Sequence, residues 1–558
     1  MTLQELQQQL TKQNIEAILV TKKNMYLNQD VKPEENNILA LSGFSGSQGY
    51  MLVTPKKAWL LVDSRYSIQA RLETNPELIE VVDVKSFCPT IYQILKEQNI
   101  SSLACNPWCI SIYDWDFFKI KGIEITEEEN LIKNIVSRSG RIFEHELKYC
   151  GKTSEEKCRE VAEALPERFA AMLITSAEEV SWIANLRSND LEHTPVVRAY
   201  ALLSKNKELK LFADNCNHKN IYPLSELSSE LEKYNRQTIF IERNFTPQKL
   251  LSFIPDEVGI NLRGENPITE FKVTKNQTEI DGFKNSHIRD GVAIAKFLYW
   301  LETNYCGKTE FDIVRKLKEF RAQNELFFSD SFSTIAASGA NAAIVHYSPT
   351  EKNCSAIKEN SVLLLDSGAQ YFDGTTDVTR TIAIGTPSDE IKDAFTQVLK
   401  SHIALASLTF PKNTSAAALD SICRAPLWRF AKDYGHGTGH SVSHFSDVHE
   451  SPFGISQNCN KKAKENYITS IEPGFYKENE YGIRIENMVY IRKCQNTDFL
   501  EFKNLTLVPI DKRLINTYLL SSEEQNWLNN YHKEVINCLA PYLDEEEKNW
   551  LKDVCSSL

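Results

Sequence analysis

Apolar positions in this chain come in two rhythms. Short runs rich in Val, Ile and Leu read as strands, and longer stretches with apolar residues three and four apart read as helices. The opening MTLQELQQQLTKQ reads as a helix leading into the strand EAILVT, and after Ser42-Gly43-Phe44-Ser45-Gly46 come the strands YMLVT and AWLLVD. A weak echo starts near Gly151: a helix of charged and apolar residues, then AAMLIT, then AYALL and LKLFAD around a Lys-Asn turn. EAILVT and AAMLIT head parallel series of elements, so duplicated domains are expected. Near Lys275 the pattern changes. Gln277 to Glu302 places Ile280, Ile288, Val292, Ala295 and Tyr299 at helical spacing, a long amphipathic helix with a core-packing stripe. From there to IRKCQ, helices alternate with antiparallel strands. In the tail, Ser521 and Glu524 form a capping box ahead of a stripe of Trp527, Leu528, Tyr531 and Val535, which must pack on its own domain or on a second subunit. The class is α/β (α+β), with domains expected at 1–149, 150–275 and 276–558.

Two strand pairs in the third part carry acids. Ser361 to Ile384, SVLLLDSGAQYFDGTTDVTRTIAI, reads as a hairpin with Asp366 on one arm and Asp377 on the other. A two-residue turn at Asp373-Gly374 would set Asp377 opposite Gln370, four residues or roughly 13 Å from Asp366 and too far to share an ion. A wider loop centred near Tyr371 and Phe372 would set the two aspartates opposite each other. The registers differ by an even number of residues, so in both the acids share one face. Ser470 to Tyr490 reads as a second hairpin with Glu478-Asn479-Glu480 at its tip, which places Glu472 directly across from Glu486. Like charges facing each other across a strand pair repel, so a cation is expected between them.

Between the hairpins, His436, His440, His444 and His449 put four of the chain's eleven histidines within fourteen residues, among glycines that let backbone approach an ion or a substrate closely. Four carboxylates and one imidazole carry a charge of minus four, which two divalent ions neutralise. Such oxygen-rich ligation favours manganese over cobalt, iron or zinc. Two adjacent ions can bind one water, lower its pKa and polarise a carbonyl, which is the chemistry of amide or ester hydrolysis.

Composition narrows the setting. The net charge of −12 argues against nucleic acid and anionic membranes as partners. The 13 cysteines include no CxxC pair, and the Cys105/Cys109 spacing lacks further ligands for zinc, so reduced cytoplasmic thiols are expected. The first residues carry glutamines and an acid where a secretory leader would be cationic and then apolar, and no stretch reaches eighteen apolar residues.

At the acid and histidine positions the sequence resembles the pita-bread metallopeptidases and, within them, the cytosolic aminopeptidase P group, which removes an N-terminal residue preceding proline. The likeness rests on DSGAQYFDGTTDVTRT, HGTGH, EPGFY, GIRIEN, SGANAAIVHYSP and DVHE. It extends over both N-terminal parts and the tail. It implies two creatinase-type N-terminal domains followed by a pita-bread catalytic domain, with Asp366, Asp377, His440, Glu472 and Glu486 as ligands of two divalent ions. Asp366 and Asp377 would hold one ion, His440 would complete the other, and Glu472 and Glu486 would bridge. Glu472 would also move a proton to the departing proline nitrogen. His346, His436 and His449 would handle substrate, His346 and His449 stabilising the oxyanion. Arg484, two residues before Glu486, shares its strand face and is placed to orient the carboxylates from behind. A homodimer acting on peptides with penultimate proline is expected. The alternatives are a prolidase confined to Xaa-Pro dipeptides and a non-catalytic pita-bread binding protein; the metal-free amidine hydrolases of this fold lack these carboxylates. One departure stands out: SVSHFSD follows His440 where the family has small, Gly-rich residues, and His444 is expected to lie in a surface loop without a role.

Overall fold

The structure is a computed structural model describing residues 1–216, 218–495 and 497–558. It divides into two compact units: Met1–His145, Lys152–Leu191 and Pro195–Ile268 in one, and Glu146–Gly151, Glu192–Thr194 and Thr269–Leu558 in the other.

The first unit holds two six-stranded sheets. One runs, edge to edge, Glu80–Asp83, Ala58–Val62, Tyr50–Val53, Ile18–Thr21, Ser102–Cys105 and Glu124–Glu127; the other runs Ile221–Tyr222, Leu209–Phe212, Tyr200–Ser204, Ala171–Ile174, Thr238–Ile241 and Gly259–Asn261. In both, the strand earliest in the chain is fourth in the sheet. In both, the pairings from the first edge are parallel, antiparallel, antiparallel, parallel and parallel. The echo between EAILVT and AAMLIT is thus carried by one repeated topology. The central strands, such as Ile18–Thr21, Tyr50–Val53 and Ala171–Ile174, are nearly continuous apolar runs because both of their faces are covered. Ile18 and Val20 pack with Leu6 and Leu10 on one side, while Leu19 packs with Ile91, Leu95 and Phe118 on the other. Arg198, fully buried, joins the repeats by hydrogen bonds to Glu35 (2.7 Å) and Asp190 (2.6 Å).

In the second unit the long helix spans Gln277–Asn304, with Ile280, Val292 and Ala295 buried. Antiparallel strands follow. Ile335–Ser338, Ser361–Ser367 and Val378–Ile384 form one sheet; Thr409–Pro411, Phe499–Asn504, Asn487–Lys493, Ile468–Ile471, Gly439–Ser441 and Glu450–Ile455 form another. The tail helix Ser522–Leu539 begins with the expected capping box. It lays Leu528, Tyr531 and Val535 into the core of its own unit, with Trp527 packed at the margin.

The first acid hairpin adopts neither expected register. Asp366 lies opposite Thr379, Gln370 opposite Thr375 and Tyr371 opposite Gly374, so the turn is Phe372-Asp373. The same register places Asp377 level with Gly368, two residues or roughly 7 Å along the strand from Asp366. Gly374 is not the turn glycine. A Cβ there would meet the Ser286 hydroxyl of the long helix at 2.5 Å, so the residue serves close approach of strand to helix. The slip is even, and both aspartates stay on one face.

The second hairpin has the expected register. Gly474 pairs with Arg484 and Lys477 with Tyr481 around a tip where Asn479 is left-handed (φ 62°), and beyond the acids Ile471 pairs with Asn487. The ladder opens at Glu472 and Glu486 themselves. The Glu472 amide donates to the Thr438 carbonyl (2.8 Å) and the Glu486 amide to the Thr379 carbonyl (3.1 Å). Each glutamate is thereby stitched to a different strand, one leading to His440 and the other coming from Asp377.

Candidate metal centre

That stitching gathers the acids. Single donor atoms of Asp377, His440 and Glu486 lie within 4.8 Å of one another. His440 Nε2 is 3.5 Å from Asp377 Oδ2 and 3.6 Å from Glu472 Oε1. Its Nδ1 donates to the Ser441 carbonyl at 3.1 Å, which leaves Nε2 as the lone-pair nitrogen facing the acids. Gly439 makes this possible: a Cβ there would lie 2.0 Å from the Ser470 carbonyl oxygen. The Ser470 hydroxyl accepts from the His440 amide and donates to Glu472 Oε1.

Asp366 is held from behind. Arg484 donates to its Oδ2 at 2.6 Å and to the Tyr476 hydroxyl at 2.7 Å, and Tyr476 in turn faces His436 Nε2 at 2.8 Å. Burial pushes the Tyr476 phenol up to about 12, so its O–H remains available to His436. Thr379 donates to Glu486 Oε2 at 2.8 Å. Arg380, buried beside it, donates to the Glu486 carbonyl (2.7 Å), the Asn487 amide oxygen (2.8 Å) and the Tyr531 hydroxyl of the tail helix (2.8 Å). The sequence reading named Arg484 but missed Tyr476, Thr379 and Arg380. Thr379 lies two residues after Asp377 and Tyr476 four after Glu472, so period-two alternation was the available signal that both share a face with the acids.

The electrostatics ask for a cation. Burial, then the neighbouring Asp366 and Glu472, hold the Asp377 carboxyl well above its usual range; burial, then Asp377, Glu472 and Asp366, do the same to Glu486. Glu472 is raised by burial, against the opposing pull of His440 and Arg484. Asp366 Oδ1 and Asp377 Oδ1 are buried and have no hydrogen-bond partner among the described residues. Unused acceptors and crowded carboxylates in one pocket fit oxygen-seeking divalent ions.

The other histidines fall around this cluster. His449 packs its ring 4.4 Å from that of His440, centroid to centroid. His346 follows the segment Gly339–Ala343, seated against the second hairpin where Gly482 leaves room for the Ala342 carbonyl; Arg484 reaches the Val345 carbonyl at 3.4 Å. His436 is sandwiched by Tyr434 and Tyr476 and lies 4.0 Å from Glu472. His444 departs from expectation. It is not a surface residue: 5% exposed, it bonds through Nε2 to the Asp373 carbonyl (2.8 Å) and packs edge-on against Phe283.

Fold and donor set together define a metallopeptidase with a pita-bread catalytic part behind two creatinase-type domains. The model of Metallopeptidase family M24 matches residues 281–493, the Creatinase/Prolidase N-terminal domain matches 2–119 and again 136–279, and the C-terminal region of peptidase M24 matches 498–558. A probable Xaa-Pro aminopeptidase P of Laccaria bicolor is 33% identical over 602 residues, covering 100% of this chain and 93% of the relative. Another from Coprinopsis cinerea is 33% identical and covers 98% and 96%. Among solved structures, the X-prolyl aminopeptidase of Caenorhabditis elegans, described as a cytosolic enzyme with a di-nuclear active site, superposes with a TM-score of 0.90 at 30% identity, covering 97% of this chain and 95% of that one. The prolidase of Pyrococcus horikoshii shares the fold over 64% of this chain (TM-score 0.51, 22% identity). The chain belongs to the Xaa-Pro aminopeptidase P family of M24 metallopeptidases.

Proposed function

We propose that the protein hydrolyses the bond between an N-terminal residue and a penultimate proline, using two divalent ions. The observation that carries this reading is the buried cluster of Asp377, His440 and Glu486 with Glu472 and Asp366 beside it, in a chain similar to aminopeptidase P proteins along its whole length. Asp366, Asp377, His440, Glu472 and Glu486 would together hold the two ions. When bound, the ions supply an activated water and Lewis-acid polarisation of the scissile carbonyl.

The remaining work falls to side chains. Glu472, within reach of His440 and partly exposed, takes the proton of the attacking water and delivers it to the leaving proline nitrogen. His449 and His346 supply donors to the oxyanion and hold the substrate backbone. His436, fixed by the Tyr476 hydroxyl, faces Glu472 and contributes to substrate binding. Arg484 keeps Asp366 aimed inward. Manganese as the preferred ion follows from carboxylate-rich ligation. A cytoplasmic location rests on the reduced thiols and acidic charge, and a homodimer on family likeness, since the tail helix is occupied within its own unit.

The test is to chelate purified protein, then assay an Xaa-Pro-Pro peptide and an Xaa-Pro dipeptide with and without added manganese. Cleavage of the longer peptide after its first residue, restored by manganese, is expected. Cleavage of dipeptides alone would favour prolidase, and full activity after exhaustive chelation would remove the metal mechanism.

A further inference from the structure

His444, four residues after His440, is buried, and its surroundings are built to receive it. Its Nε2 bonds to the Asp373 carbonyl at the tip of the first hairpin. The carboxylate of the same Asp373 is gripped by Arg289 of the long helix through two bonds, 2.8 and 2.6 Å. Gly282, one turn into that helix, has no Cβ to spare: one placed there would come 2.2 Å from the Asp373 oxygen and 3.2 Å from His444 Nε2. A glycine inside a helix costs about 1 kcal/mol relative to alanine, so its presence at the one point where tip, imidazole and helix converge marks a fitted contact. Further on, the His440 to His449 loop is held by Gln370, which donates to the Ser446 carbonyl (2.5 Å), and by Ser443, which shares Glu450 with Lys272 and Lys275.

We propose that His444 is a positioning residue: by bonding the hairpin tip to the loop that carries His440 and His449, it fixes the spacing between Asp366 and Asp377 on one side and the imidazoles on the other. The two sets of donors come from segments far apart in sequence, and the His444 bond is a side-chain strut joining them close to both. The inference rests on the metal-centre reading above. A misplacement of about 1 Å in such a constellation costs on the order of a hundredfold in rate.

The experiment compares full-length wild type with His444→Ala, His444→Gln and Gly282→Ala, measuring kcat and KM on an Xaa-Pro-Pro peptide, manganese titration of the chelated protein, and melting temperature. The alanine variant is expected to lose about tenfold to a hundredfold in kcat with KM within about threefold, and to bind manganese more weakly. Glutamine, whose amide can donate from nearly the same place, is expected to recover most of both. Gly282→Ala should reproduce the alanine defect by forcing tip and imidazole apart. A lower melting temperature with unchanged kcat and manganese binding would make His444 merely structural and overturn the proposal, as would a glutamine variant as impaired as alanine. If His444→Ala does not fold, parental kcat and manganese binding in Gly282→Ala would overturn it. Should wild type bind manganese yet cleave no Xaa-Pro bond, the functional reading fails while the manganese titrations still decide this one.

Discussion

In the first hairpin Asp366 and Asp377 are offset by two residues along their strands, whereas in the second Glu472 and Glu486 stand level across a gap in the ladder. Of the offset acids, Asp366 is compensated by Arg484, whereas Asp377 lies 3.5 Å from the lone-pair nitrogen of His440 and stays raised by burial and by its acidic neighbours. Level acids share one small space, where the hydroxyls of Thr379 and Ser470 and the imidazoles of His440 and His436 approach them. The unmet charge therefore concentrates at Asp377, His440 and Glu486. The demand for a cation is thus shared between the hairpins: Asp377 carries it from the first and Glu486 from the second.

Removing the concentrated charge has the largest expected effect. Asp377→Ala and Glu486→Ala are each expected to lose bound metal and activity together, with kcat/KM falling by about a thousandfold or more, read by elemental analysis beside the peptide assay. Next in size are the histidines outside the donor set. His346→Ala and His449→Ala should keep metal stoichiometry while turnover falls by about a hundredfold to ten-thousandfold; near-parental turnover in both would end their catalytic assignment. Arg484→Met acts chiefly on the offset side, through Asp366, and also removes a positive charge felt by Glu472. It should weaken manganese binding by about tenfold to a hundredfold, because Asp366 loses the donor that aims it.

The smallest effect sharpens the comparison from the level side. In the metal-free protein Asp377 and Glu486 are held above the ordinary carboxylate range, so the folded state binds protons more tightly than the unfolded one. That stabilisation is complete below the ordinary carboxylate pKa, about 4, and is lost as pH rises through the raised values. Metal-free wild type should therefore lose stability between about pH 4 and neutrality relative to Glu486→Gln, whose melting temperature should equal or exceed wild type at neutral pH. Marked destabilisation by the glutamine there would argue against the facing pair.

Much of this was legible in the chain. The second hairpin was readable because Asn479 supplies the left-handed tip and strand-forming segments flank both glutamates, so one register satisfies everything. The duplicated sheets showed through two apolar runs at the heads of matching series. The first hairpin falls between the two registers considered, the Asp373-Gly374 turn and the wider loop, because the sequence does not say that Gly374 is reserved for the long helix and that the turn therefore moves to Phe372-Asp373. His444 was misplaced for the same reason. Its burial depends on Gly282, whose glycine looks like an ordinary helix weakness until the two segments are brought together.

The most direct test of the central claim is titration of manganese into chelated protein, followed by bound metal per chain and by melting temperature, in wild type and Glu486→Gln. The account predicts two ions per wild-type chain, a higher melting temperature on binding, and a deficit of metal and of that rise in the variant. A wild-type chain that binds no manganese and melts unchanged, or a variant that binds two ions as tightly as wild type, would contradict it.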